Sequence, residues 1–151
     1  MANEESARQE PLTDVSPCRL KQLLKRSQVD FEIDFFEQVL TRNPNYVEGL
    51  KVLGDLLSQK GCHRRALQLD QRLGQLLPQD PVVAYNLACS HAVLKQATEA
   101  VQALQLAFHN GYSDIEFLLN DADLKSLHKH EGFRKLLVGL LNSERSPTRL
   151  A

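Results

Sequence analysis

The chain has almost no net charge: 18 Lys and Arg against 19 Asp and Glu leave −1 at neutral pH. So even a balance gives no global pull toward nucleic acid or an anionic membrane. Cysteine is scarce. Cys18, Cys62 and Cys89 are odd in number and widely spaced, which argues against a disulfide framework and fits a reducing cytoplasm. No apolar run approaches the ~18 residues that suggest a membrane span. The opening MANEESARQEPLTDVSP is polar and lacks the hydrophobic stretch of a secretion signal. The seven glycines stand singly, and no Gly-rich phosphate loop, GxSxG or HExxH occurs. Period-2 alternation is also missing, so nothing in the pattern asks for a sheet.

What is present is helical periodicity. The 151 residues, 42% of them hydrophobic, suit one domain with a sizeable core. Residues 1–16 read as a disordered polar tail and residues 143–151 as a flexible C-terminal tail. Between them, apolar residues recur at helical spacing over 17–142, so the class is all-α.

The order within that region is repetitive. A shift of 34 places Pro44 on Pro78, Leu53 on Leu87, Gly54 on Ala88, Ala66 on Ala100, and Val39 on Leu73 and then Ala107. In the same register Leu57 becomes His91, Gly61 becomes Lys95, and Tyr112 stands where a proline would recur. The boundary QLLPQDPVVAYNL has a physical reading: Pro78 helps stop one helix, Asp80 caps the next, and Pro81 fits its first turn. Ala66, Ala100, Gly54 and Ala88 mark expected close approaches between helices.

A 34-residue period with these residue types resembles the tetratricopeptide repeat family. Leu53-Gly54, Leu57, Gly61, Ala66, Leu73 and Pro78 carry the resemblance, and Leu87-Ala88, Ala100, Leu104 and Ala107 repeat it. It implies a right-handed α–α superhelix of about three helical pairs: a degenerate repeat at 17–46, repeats at 47–80 and 81–112, and a cap at 113–142. CRLKQLLKR, residues 18–26, would be the first helix. GYSDIEFLLNDADLKSLHKHEGFRKLL resembles the segment closing many bacterial tetratricopeptide proteins, with Ser113 and Glu116 spaced as a capping box. The expected core includes Phe36, Leu53, Leu57, Leu73, Leu87, Leu104, Phe108 and Phe133.

The resemblance also implies a function: a non-catalytic module, adaptor, scaffold or co-chaperone, holding a peptide or helix of another protein in the concave groove. Glu48, Lys51, Val52, Asp55, Ser58 and Gln59 would be its inner positions in one repeat, and Val82, Tyr85, Asn86, Cys89 and Val93 in the next. Lys51, Asp55, Tyr85, Asn86 and Cys89 are the candidate lining residues. Lys51, Asp55 and Asn86 would be polar anchors, and Tyr85 an aromatic contact. Lys51 and Asn86 match a pattern by which some family members clamp a chaperone's terminal carboxylate. Asp55, Glu116 and Asn120 break it, since a carboxylate facing Asp55 and Glu116 would be repelled. The alternative is a self-associating subunit whose groove or apolar patch is filled by another copy or by its own N-terminal tail.

Other chemistry finds little support. Cys62-His63, Cys89-x-His91 and His128-x-His130 lack the i, i+3 or i+4 spacing of helical metal ligands, so no metal or cofactor is expected. Cys89 reads as a small apolar residue. Asp121 and Asp123 read as charges complementing a helix start. Arg19, Lys21, Lys25 and Arg26 make a basic stretch before the acidic Asp30, Glu32, Asp34 and Glu37. Without interleaved aromatics this is a charge-paired helical couple, not a nucleic-acid surface.

Overall fold

The computed structural model describes residues 27–145, among which there are helices and no strands. The tail expected at 1–16, the helix expected at 18–26 with its basic residues, and residues 146–151 lie outside the described residues.

Helix α1 spans Gln28–Arg42 and opens on a capping box: Ser27 accepts from the Asp30 amide, and the Asp30 carboxylate accepts from the Ser27 amide. Helices α2 (Val47–Gln59) and α3 (His63–Leu76) follow, then α4 (Pro81–Val93) and α5 (Ala97–His109). The starts of α2 and α4 are 34 residues apart, as are those of α3 and α5, matching the sequence period. Asp80 caps α4 by accepting from the Val82 and Val83 amides at 2.9 and 3.1 Å, with Pro81 in the first turn.

From α1 to α5 each helix packs on the next in chain order, as stacked helical pairs must if each is to bury its apolar face. Leu53, Leu57, Leu73, Leu104 and Phe133 are fully buried. Phe36, Leu87 and Phe108 are half-buried against the core. Ile33, Leu53, Leu56, Leu57 and Ala66 join α1, α2 and α3. Leu50, Leu73 and Val83 bridge to α4. The largest cluster lies between α4, α5 and the C-terminal segment.

That segment is α6 (Ile115–Asn120), a 3₁₀ helix (Ala122–Leu127) and α7 (Glu131–Arg145). It buries Leu118, Leu124, Leu127 and Phe133 in the α4–α5 cluster. The cap of α6 is Asp114, not Ser113: its carboxylate accepts from the Phe117 amide at 2.8 Å. The expected Ser113–Glu116 box is therefore one residue early. Helix α7 also continues through residues 143–145, into the stretch expected to be a flexible tail.

The acidic side chains of α1 take partners from the following pair. Asp30 meets Lys60 at 2.8 Å, and Glu37 meets Arg65. These exposed pairs contribute little stability each.

Helices α2, α4 and α5 end in the same way. The amides of Cys62, Gln96 and Tyr112 reach back to the carbonyls of Leu57, His91 and Ala107. This bond pattern needs a left-handed residue just before the donor. Gly61, Lys95 and Gly111 occupy those places, at φ 76°, 64° and 103°. Lys95 is the one with a Cβ to accommodate.

Ala66, Ala88 and Ala100 are buried as expected, but Gly54 is not the closest approach. A Cβ on Gly54 would meet Asp70 Oδ1 at 3.7 Å, an ordinary contact, whereas a Cβ on Gly49 would lie 2.6 Å from the Tyr46 ring. Two outcomes follow. Gly54→Ala should gain about 1 kcal/mol from helix propensity while Gly49→Ala loses stability, read by urea unfolding. Lys95→Gly should gain about 0.5–1 kcal/mol by relieving the left-handed strain, seen in a thermal melt as a rise of about 1–4 °C.

Candidate functional site

Helix α4 presents Val82, Tyr85, Asn86, Cys89 and Val93 along one face, at the three- and four-residue steps of a helical stripe. With α2, α3 and the C-terminal segment this face encloses an open concave groove of about 750 Å³. Helix α2 supplies Gly54, Asp55 and Ser58, and α3 supplies His63 and Asp70. Tyr112, Asp114, Phe117, Asp121 and Asp123 close the far side.

Asp55, Tyr85, Asn86 and Cys89 thus stand together on the main groove. Lys51 stands apart, on an adjoining recess of about 140 Å³ shared with Asp55, Asp70, Asp80 and Asn86. It pairs with Glu48 at 3.6 Å. Glu48, Val52 and Gln59 do not line the groove.

The aromatic contact expected of Tyr85 is made inside the protein. Its side chain is 4% exposed. Its ring stacks on Tyr112 at 4.4 Å and leans on Phe117 at 5.8 Å. Its hydroxyl donates to Asp121 Oδ2 at 2.8 Å. Cys89 Sγ donates to the same oxygen at 3.6 Å, and the Asp123 amide donates to Oδ1 at 2.9 Å. Asp121 does cap the 3₁₀ helix, as its position beside a helix start suggests, and it also ties that helix to α4.

Cys89, Asp121 and Asp123 offer a thiol and two carboxylates within 4.8 Å of one another. The arrangement suits a metal poorly. Both Asp121 oxygens already accept hydrogen bonds. Burial, reinforced by Asp121, pushes the Cys89 thiol well up, whereas a metal takes the thiolate. The same shift opposes nucleophilic use of Cys89. His91 bonds Gln96 at 2.7 Å rather than serving as its base.

The groove's electrostatics come from its aspartates. Asp55, Asp70, Asp114, Asp121 and Asp123 line it, and among the described residues no Lys or Arg does. Asp70 accepts from the Ser90 hydroxyl. Its pKa is nonetheless raised, first by burial and then by Asp55 across the helix pair, with Ser90 and His91 pulling the other way. Burial also raises Asp123, aided by Asp121 and opposed by His63. Asp70, His63 and the whole C-terminal side escaped the sequence reading, which looked along the first helix of each repeat. The cluster of aspartates in SDIEFLLNDAD was the available signal, but cap chemistry accounted for it locally.

A raised aspartate binds its proton more tightly folded than unfolded, so ionising Asp70 costs stability as pH rises above the ordinary value of 3.8. Asp70→Asn should therefore raise Tm at neutral pH. The gain over wild type should vanish on acidification below 3.8, as paired melts across pH would show.

No family model matches the chain. Over 104 residues it is 34% identical to a protein of Arabidopsis thaliana described as chloroplastic, a match taking in 67% of this chain and 30% of that protein. The chain thus spans under a third of that relative's length. Among solved structures, the crystal structure of MamA is similar with a TM-score of 0.59 at 20% identity, over 78% of this chain and 74% of that one. The likeness is one of fold, and the fold is a tetratricopeptide-like helical solenoid. No helix among the described residues is long and apolar enough to cross a membrane.

Proposed function

We propose that the protein is a non-catalytic interaction module, an adaptor, scaffold or co-chaperone, that holds a segment of a partner protein in the concave groove. The open groove of about 750 Å³ carries this reading. It is long enough to touch α2, α3, α4 and the C-terminal segment at once, and its rim exposes Val82 and Phe117 by 54% and 53%. Apolar rim residues beside polar anchors are what a bound peptide needs for affinity and register. The half-buried, protonated Cys89, with His91 committed to Gln96, supports the non-catalytic half of the reading. Fold alone would not.

Random-peptide display on the folded chain tests it. Peptides retained by wild type should be lost by a Val82→Arg, Asn86→Arg double variant. Both positions are solvent-exposed, so the fill should leave the helical circular-dichroism spectrum unchanged. Peptides that bind both forms equally would move the site off the groove. A dimer in size-exclusion chromatography that the same variant dissolves would favour the self-associating alternative.

A further inference from the structure

Resting on that reading of the groove, we infer the chemistry of its occupant: a segment of another protein in which Lys or Arg alternates with apolar residues. The site is the cavity and its apolar rim, and its charge selects what fills it. Five aspartates face inward, and among the described residues His63 is the one lining group that could carry positive charge. Ion pairs among the described residues fall elsewhere: Asp30 with Lys60, Glu37 with Arg65, Glu48 with Lys51, Glu131 with Lys135. Lys51 shares the adjoining recess with Asp55 and Asp70 but pairs with Glu48, and the main groove itself has no lysine or arginine among the described residues.

The arrangement has a cost in the free protein. Asp55 and Asp70 repel each other, as do Asp121 and Asp123. A guanidinium or ammonium group between them would turn repulsion into charge-assisted hydrogen bonds, and a guanidinium can fork between two carboxylates. Asp121 and Asp114 are already committed as helix caps and tethers. Asp70 gives one oxygen to Ser90, so Asp55, Asp123 and the second oxygen of Asp70 are left to meet the ligand. Val82 and Phe117 flank them and would take the intervening apolar side chains. Terminal carboxylates and acidic segments are rejected by the same charges.

The chain's own basic stretch, residues 18–26, has this composition too. In sequence, however, it leads into Ser27, the cap of α1, and α1 contributes no residue to the groove. The occupant is therefore a partner's segment rather than the chain's own.

Fluorescence anisotropy with a short labelled peptide alternating Arg and Leu tests the inference, beside matched peptides carrying Ser or Glu for Arg. The Arg peptide should bind full-length protein best and weaken with salt. It should lose about tenfold or more in affinity on an Asp55→Asn, Asp123→Asn double variant, and nothing on Glu32→Gln outside the groove. Equal binding of the Ser peptide, lost on the Val82→Arg, Asn86→Arg variant, would overturn the charge class and leave the groove reading standing. An Arg peptide held equally by that filled variant would overturn both. Much tighter binding after reversing Arg19, Lys21, Lys25 and Arg26 to Glu would mean that the groove is occupied in cis, against the inference. Failure of the Arg peptide on every form also overturns it.

Discussion

Asp121 sits where the chain leaves α6 and starts the 3₁₀ helix, and its carboxylate faces three ways. It accepts from the Tyr85 hydroxyl, the Cys89 thiol and the Asp123 amide. Three donors converging on one part-buried carboxylate hold it more firmly than a single bond between neutral groups would. These bonds fasten the C-terminal segment to the inner face of α4 and so make a groove out of what would otherwise be the open end of a helical stack. The Tyr85–Tyr112–Phe117 stack beneath them adds apolar area to the same junction. Without that junction Phe117, Asp114 and Asp123 would have no fixed relation to Asp55 and Asp70.

The two acidic faces of the molecule are handled differently. On α1 each exposed carboxylate with a defined ion pair finds Lys60 or Arg65 from the neighbouring pair of helices. In the groove the carboxylates sit close to one another, and desolvation drives Asp70 and Asp123 upward. A chain optimised only for stability would have relieved this with one lysine. Its retention in a cleft is the kind of local conflict that marks functional sites.

The helical pairs were legible because their causes are local. The Pro78–Asp80–Pro81 boundary and the small residues at 66, 88 and 100 each encode one packing or capping event. The inner stripe of α4 followed from its register, which is how Tyr85, Asn86 and Cys89 could be named. Asp70 was illegible because its side chain reaches the groove from α3, between Gly54 and Ser90, a relation set by how two pairs stack. Lys51 was placed one recess away for the same reason. The burial of Tyr85 depended on where the C-terminal segment folds back. The cap of α6 shifted to Asp114 because an aspartate next to a serine offers a second acceptor for the same free amides. Pattern alone does not choose between them.

The unequal clusters along the stack bear on how the protein opens. Contacts run mostly between neighbours in chain order, so loosening one element chiefly removes support from the next. The α4–α5–α7 end holds the broadest cluster, including Phe133, Leu104 and Leu118, while α1 contributes Ile33 as its one buried side chain. Backbone amides should therefore exchange with solvent fastest in α1 and most slowly in α4 and α5. The groove straddles that gradient: its α4 wall belongs to the last part to open, and its α2 rim to a part that loosens sooner. A bound segment spanning both would act as a clasp, lending the weaker half the persistence of the stronger.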